Sequence, residues 1–553
     1  MWLVACQPAA VPDPVRPDDT DDAPVMADTD DTDPPADTDD TDAPADTDPP
    51  PPDVTVTLGA EVVCADPAAR AFAPLSDPIQ GGDWASQPFD PDRQNRFTGG
   101  GISAADLDGD GRLDLIRPDV ERVRLYLQRA PLEFTDASDG LPDTERANNV
   151  VTPVDVDADG DLDLFVGRQA AANRLWINDG HGLFTDGTAA SGLDLTADAH
   201  TTSAAFADMD LDGDLDLFVA NYGDFRDVGR RPGDPKVLWR NRGDGTFEDA
   251  SGLLPAEVHP GFSFVGGWWD PDRDRWPDVL LVNDFGQDAP NRLIRNAQGA
   301  LALDPAAGLD VAMQGMGLGV GDLNGDGVDD VAMAGWGAHR LMVSSGGVWF
   351  DARGTMLFKS DVARHQLIGW SSEMADLDND GDLDVAQGYG FVRGEDAFPL
   401  QPDEIYRNDG ALFTPVGAAW GFENEGNTRG VLAVDLNGDG WLDLLRADMI
   451  GPATAQIATC GEDGWLEVSV DDARTLNRRG VGVEIRATAG AQTWSRTIVA
   501  GGRSVLSAGP PVAHLGFGMV DVIDTLTVLW PDGEVTVFED VPTRRAVVVA
   551  RVR

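Results

Sequence analysis

The sequence predicts an all-β protein: a seven-bladed β-propeller with cation-binding loops, followed by a small C-terminal β domain. Three observations carry this. An Asp-rich nonapeptide of the form D-x-D/N-x-D-G-x-x-D recurs seven times, its starts 49, 53, 62, 52, 54 and 59 residues apart. Each period also holds four short strand-like runs separated by turn residues, the length and content of a propeller blade. From about residue 464 the repeat stops but strand-like runs continue. Composition agrees, because 63 Gly and 37 Pro in 553 residues suit a turn-rich β chain. A β-helix of calcium repeats would need a much shorter period, and helical repeats a 3.6-residue periodicity that is absent.

Taken in chain order, residues 1–6 and 7–58 form a leader remnant and a linker. The start, Leu3-Val4-Ala5-Cys6, resembles the end of a bacterial lipoprotein signal peptide, which implies lipidation of Cys6. Residues 1–58 hold sixteen Asp, twelve Pro and one basic residue, Arg16. Such a segment repels itself and buries almost nothing, so it is expected to be an extended, disordered tether. Membrane contact is then expected only through the lipid anchor, with the folded part outside the cytoplasm.

The propeller is expected over residues 59–463. Its seven loops offer four cation ligands each: Asp106, Asp108, Asp110 and Asp114; Asp155, Asp157, Asp159 and Asp163; Asp208, Asp210, Asp212 and Asp216; Asp270, Asp272, Asp274 and Asp278; Asp322, Asn324, Asp326 and Asp330; Asp376, Asp378, Asp380 and Asp384; Asp435, Asn437, Asp439 and Asp443. Side chains at positions 1, 3 and 5 of a tight loop converge, Gly at position 6 allows the sharp turn, and position 9 closes the cage. All-oxygen ligands without His or Cys select a hard cation, Ca²⁺ ahead of Mg²⁺. An EF-hand would need Glu at position 12, where the first loop has Arg117, and helical flanks. One Asp-Gly turn would be an ordinary surface feature; seven with one geometry are not. The fourth loop departs from the pattern, with Arg275 for the turn Gly and Pro277 nearby; it is expected to be the weakest site or to hold no metal, with Asp272 and Asp274 pairing with Arg273 or Arg275 instead.

Charge excludes several functions. Lys+Arg is 40 and Asp+Glu 97, a net charge of −57, so a nucleic-acid partner is not expected. Seven Ca²⁺ would lower the net charge only to −43. The six His, at 181, 200, 259, 339, 365 and 514, show no metal-ligand spacing, and no nucleophile elbow or P-loop occurs. The expectation is therefore a non-enzymatic binding or adhesion protein for an unidentified protein or glycan. The alternative is an extracellular propeller enzyme acting on polysaccharide. Trp268, Trp269, Trp336 and Trp370 are candidate carbohydrate contacts if they are exposed.

The loops with their flanking strands resemble the FG-GAP/VCBS-type repeats of integrin α-subunit propellers and many bacterial surface proteins. The resemblance implies that each calcium loop joins the first two strands of a blade. Residues 464–553 resemble the ASPIC/UnbV domain through Asn477-Arg-Arg-Gly480-Val-Gly482, His514-Leu-Gly516-Phe-Gly518 and Leu529-Trp530-Pro531-Asp532-Gly533. That domain follows FG-GAP-type propellers in the family, which implies this order of domains.

The last repeat looks one strand short before the C-terminal unit begins, and an open ring leaves unpaired sheet edges. Residues 71–75, a Gly-x-Phe-like outer strand with no repeat before it, are expected to complete the last blade. Cys64 and Cys460 would then become neighbours and form a disulfide. In the chain-entropy view, closing a loop that long contributes on the order of 5 kcal/mol.

Overall fold

The first two strands of each repeat are buried along most of their length, as strands covered on both faces are, and they pair antiparallel. In the computed structural model, the described residues are 54–65, 67–75, 100–118, 122–142, 148–193, 199–224, 232–337, 339–356, 367–391, 401–410, 412–422, 425–449, 453–504 and 506–552. Cys6 and most of the expected linker lie outside them. Among the described residues, seven antiparallel sheets each carry one Asp-rich loop. Sheet 1 consists of Ser103–Ala105, Asp114–Pro118, Val123–Ala130 and Glu133–Asp136. Sheets 2 to 6 repeat this order along the chain. In every sheet the loop joins the first and second strands, and its ninth residue is the first residue of the second strand.

The sheets pack face to face through apolar residues contributed by neighbours. Leu125 of sheet 1 joins Val151 and Trp176 of sheet 2. Phe165 meets Phe206 of sheet 3 edge to face, with ring centroids 6.1 Å apart, and Phe218 meets Trp268 of sheet 4 in the same way at 6.2 Å. Leu280 joins Met316 of sheet 5, Leu341 joins Val385 of sheet 6, and Ile405 joins Leu444 of sheet 7. Finally Leu432 and Leu445 of sheet 7 pack on Ile102 and Leu115 of sheet 1. Burying one such side chain contributes about 1.5–3 kcal/mol, and every contact has a neighbour on each side, so the fold is an all-β propeller held by its own succession.

Sheet 7 is completed from the far end of the chain. Phe72–Pro74 pairs antiparallel with Thr454–Ala458, Phe72 opposite Ala458. Arg70 lies at the seam, donating to the Leu442 carbonyl at 2.8 Å and stacking over Phe72 at 4.4 Å. Cys64 and Cys460 are disulfide-bonded there, with Cα atoms 5.7 Å apart.

One boundary differs from the sequence expectation. The linker was expected to run to residue 58, yet Val54–Leu58 is a strand paired with Arg545–Arg551 of the C-terminal domain. The hydrogen bonds from Gly59 N–H to Ala546 O (2.8 Å) and from Val62 N–H to Arg544 O (2.9 Å) extend the attachment, so the propeller's share does not start at residue 59. The reason is local. Val-Thr-Val-Thr-Leu is β-branched and alternating, unlike the Asp/Pro run before it, and it meets an open sheet edge.

The C-terminal domain is a sandwich of two four-stranded sheets. Gly464–Asp472 alternates buried and half-buried positions, the mark of a strand with one face in the core. Leu466, Val468, Ile485, Trp494, Leu526 and Val547 form that core. Ala513–Gly518, singled out in the sequence only as a motif, is also one of its strands.

A segment of this domain enters the axis of the propeller. Ala500–Gly501 pairs with Ala205 and Phe206, on the first strand of sheet 3. Beyond it, Arg503 donates to Val320 O at 2.7 Å, Ser504 Oγ to Val431 O at 3.3 Å, and Ala104 N–H to Ala508 O at 3.1 Å. Ser504 also lies 3.4 Å from the Ser371 hydroxyl. A Cβ added to Gly501 would meet Thr152 at 2.9 Å, and one added to Gly267 would meet Gly502 O at 2.3 Å. The first strands of all seven sheets therefore touch this one segment, and Leu506 within it is fully buried.

Candidate metal centres

Each loop is shaped by its first carboxylate. Asp106 accepts from Gly109 and Gly111 N–H at 2.9 Å and from Asp110 N–H at 3.2 Å. Asp208, Asp322 and Asp435 accept from the N–H groups of positions 5 and 6 in the same way. Position 6 is left-handed in every loop, with φ 82° at Gly111, 98° at Gly160, 95° at Gly213, 85° at Gly327, 102° at Gly381 and 81° at Gly440. Glycine takes this conformation without strain.

The ninth residue does more than close a cage. Asp163 accepts from Val156 N–H within its loop at 3.2 Å and from Asn178 N–H on the third strand at 2.8 Å. Asp114, Asp216, Asp330, Asp384 and Asp443 do the same with their own partners. It pins the loop to the sheet.

Amides at the end of the third strand are a class of residue whose role the sequence reading did not assign. Asn178 Nδ2 donates to Leu162 O of its own loop (3.0 Å) and to Leu107 O of the preceding loop (2.9 Å). Asn296 and Asn408 reach back to Met209 O and Leu323 O, and Gln128 links loop 1 to Leu436 O of loop 7. The recurring Asn was visible in the sequence, but its reach into the neighbouring repeat was not.

Five loops bring three carboxylates together. Asp106, Asp108 and Asp114; Asp155, Asp157 and Asp163; Asp208, Asp210 and Asp216; Asp270, Asp272 and Asp274; and Asp376, Asp378 and Asp380 each place one oxygen within 4.8 Å of the others. Loops 5 and 7 put the amides of Asn324 and Asn437 at position 3, and their oxygens accept from Asp326 and Asp439 N–H. Burial is severe. It pushes Asp155 and Asp208 up to about 7 and Asp163 and Asp216 up to about 8, with neighbouring carboxylates adding to the effect. Burial likewise raises Asp376, Asp384 and Asp443 well above the ordinary carboxylate value, with neighbouring carboxylates adding to it.

Fit to a cation is decided by the oxygens left over. Oδ1 of Asp108, Asp155, Asp210, Asp376 and Asp378 is buried with no hydrogen-bond partner. Buried oxygens without donors are costly, and a hard divalent ion satisfies them. These oxygens lie at positions 1 and 3, and they belong to loops 1, 2, 3 and 6.

Loop 4 is filled by the protein itself. Arg295, on the third strand, places Nη1 2.6 Å from Asp278 and 3.1 Å from Asp272, and Nε 3.1 Å from Asp304. The pairing of Asp272 and Asp274 anticipated from sequence was with Arg273 or Arg275. Instead, Arg273 reaches Glu484 at 3.2 Å and Arg275 donates to Pro531 O at 3.4 Å, both on the C-terminal domain. Arg275 keeps the left-handed turn, at φ 76°.

Of the tryptophans weighed as carbohydrate contacts, Trp268, Trp269 and Trp370 are buried, whereas Trp336 is 42% exposed and lies 6.5 Å from the Phe391 ring. The described histidines that carry contacts are internal. His339 Nδ1 accepts from Gly335 N–H, His200 pairs with Asp234 at 2.7 Å, and His514 lies 3.1 Å from Gly440 O.

Known proteins bear on this architecture. Residues 106–166 and 155–219 match the FG-GAP-like repeat, and residues 473–552 match the ASPIC and UnbV domain. Cartilage acidic protein 1 of Mus musculus is 29% identical over 350 residues, covering 60% of this chain and 52% of that protein. The Xenopus tropicalis protein of the same name is 29% identical over 270 residues, covering 47% and 40%. The chain thus spans about half the length of the curated relatives it matches, or less. A solved Agrocybe aegerita lectin, described for its recognition of non-reducing terminal N-acetylglucosamine, is 18% identical, with a TM-score of 0.37 over 66% of this chain and 91% of its own. A likeness at that score carries no argument.

Proposed function

We propose that this chain, a β-propeller with FG-GAP-like repeats and a C-terminal ASPIC/UnbV domain, is an extracytoplasmic binding protein whose propeller is a calcium-stabilised scaffold. The observation that supports this most is the set of partnerless buried carboxylate oxygens in loops that recur around the ring. They call for a hard cation, and millimolar calcium outside the cell suits sites of this kind. The relatives named cartilage acidic protein and the Cys64–Cys460 bond favour an oxidising, extracellular setting. Among the described residues no helix is long and apolar enough to cross a membrane; the resemblance of Leu3-Val4-Ala5-Cys6 to a lipoprotein signal is what supports attachment through a lipidated Cys6.

Binding rather than catalysis is favoured because the contacts of His200, His339 and His514 are structural and the paired carboxylates are accounted for by the loops. Trp336, exposed beside Phe391, is the point proposed to meet a glycan or protein ligand. A glycan array and whole-cell binding, run with calcium and with chelator, test the reading. Calcium-dependent retention that Trp336→Ala weakens supports it. Release of reducing ends from a bound polysaccharide would instead establish the enzyme alternative. Transfer of the protein to the soluble fraction by Cys6→Ser tests the anchor.

A further inference from the structure

The three stretches that mark the C-terminal domain in sequence land on the Asp-rich loops. Asn477 N–H donates to Gly213 O of loop 3 at 2.8 Å. Arg478 donates to Asp159 O of loop 2 at 3.1 Å, and Arg479 to Gly160 O. At the second stretch, Gly518 N–H donates to Asn379 O of loop 6 at 2.7 Å, and the His514 ring meets Gly440 O of loop 7. The third receives loop 4, where Arg275 lies against Pro531 and Gly533.

Position 6 is the surface that is read. A Cβ on Gly440 would collide with the Trp465 ring at 1.7 Å, one on Gly381 with Trp494 Nε1 at 2.6 Å, and one on Gly160 with Arg478 at 2.7 Å. A Cβ on Gly111 of loop 1 or on Gly327 of loop 5 would meet nothing within 4 Å, so no docked group covers position 6 of these two loops. In loop 4 the roles reverse. The side chain belongs to the loop and the glycine to the domain, for a Cβ on Gly533 would meet Arg275 at 2.5 Å.

We infer that loops 2, 3, 6 and 7 are the docking platform of the C-terminal domain, and that cation occupancy of loops 2, 3 and 6, where the orphaned oxygens lie, controls the seating in the propeller axis of residues 500–508, of which 505 lies outside the described residues. The inference rests on the cation reading above. The contacted carbonyls belong to positions 4 to 6, the same turn whose N–H groups bind the first carboxylate. A cation that fixes the carboxylates therefore fixes the platform, and by linkage docking favours cation binding. Loop 4, with Arg295 in place, holds its contact without an ion and serves as the pivot.

The test is hydrogen exchange on the full chain, with calcium and after chelation, alongside calorimetric titration of calcium. The expected result is exchange of the 500–508 amides faster by about tenfold or more on chelation. In calcium, Gly440→Ala should give the same loss, whereas Gly327→Ala should not. Both glycines have nearly equal left-handed φ, 81° and 85°, so backbone strain cancels between them. Should Gly440→Ala fail to fold, Arg479→Ala replaces it, because it removes one docking donor without backbone strain. Calcium binding with unchanged protection of 500–508 overturns the control of seating and leaves the cation reading standing. Absence of calcium binding overturns both. Equal exchange in the two glycine variants, or an Arg479→Ala variant as protected as the parent, overturns the platform.

Discussion

Loops 4 and 6 share a backbone and differ in what fills it. In loop 6, Asp376 accepts from Gly381 N–H at 3.0 Å, and Oδ1 of both Asp376 and Asp378 lacks a partner. In loop 4, Asp270 accepts from Arg275 N–H at 2.8 Å, and Arg295 spans Asp272 and Asp278. The difference separates two jobs that the repeated motif combines. The first carboxylate, bonded to the turn's own N–H groups, makes the shape. Charge balance comes afterwards, from a guanidinium bridging two carboxylates in loop 4 and, on the reading proposed above, from an ion in loop 6; loops 1 and 3 lie between, because Arg129 pairs with Asp108 and Arg240 with Asp210 at 2.6 Å while Oδ1 of each carboxylate keeps no partner. A guanidinium built into the chain needs no mass action, so loop 4 keeps its form at any calcium concentration.

Chelation sharpens this contrast most. Each independent site at 100 times its dissociation constant contributes about 2.7 kcal/mol, so several sites together should lower the melting temperature by far more than any single substitution. An unchanged melting temperature would remove the distinction between loop 4 and the rest.

The pH dependence should reverse with calcium. Without the ion, burial holds Asp155 and Asp208 at about 7 and Asp163 and Asp216 at about 8, above the ordinary carboxylate value. The folded state then binds protons that the unfolded state releases. Chelated protein is expected to be most stable near pH 4 and to lose that stability as pH rises through 7 to 8. With calcium, which needs the ionised form, stability is expected to rise over the same range. Urea midpoints at pH 5 and pH 8, in both conditions, check this; parallel trends would contradict it.

Arg295→Met should turn loop 4 into a loop like loop 6. We expect one more calcium per chain by elemental analysis, and a stability loss of about 1–3 kcal/mol in chelator that calcium repairs. A stoichiometry that does not change would show that Arg295 is not what keeps the ion out. The smallest effect is expected at Gly111, which faces open space at φ 82°. Gly111→Ala should cost only the left-handed strain, about 1–2 kcal/mol by chemical denaturation. A larger loss would reveal a contact on loop 1.

The sequence alone determined whatever is local or repeated. The period specified four strands per sheet. The Asp spacing specified the loops, and the missing last strand pointed to residues 71–75, which pair as Phe72–Pro74. These follow from rules that act over a few residues, or from counting. Tertiary structure decided what depends on neighbours far away in the chain. That Val54–Leu58 leaves the tether for the C-terminal sheet depends on an open edge almost 500 residues away. That Arg295, not Arg273 or Arg275, fills loop 4 depends on a third strand crossing the loop. Position-6 glycines read as turn residues, yet three also lie bare beneath Trp465, Trp494 and Arg478, and only the docked domain shows why a methyl group would not fit there. A turn declares itself through backbone conformation, which one residue type favours. A docking surface arises where two such stretches meet, and neither carries that meeting in its own residues.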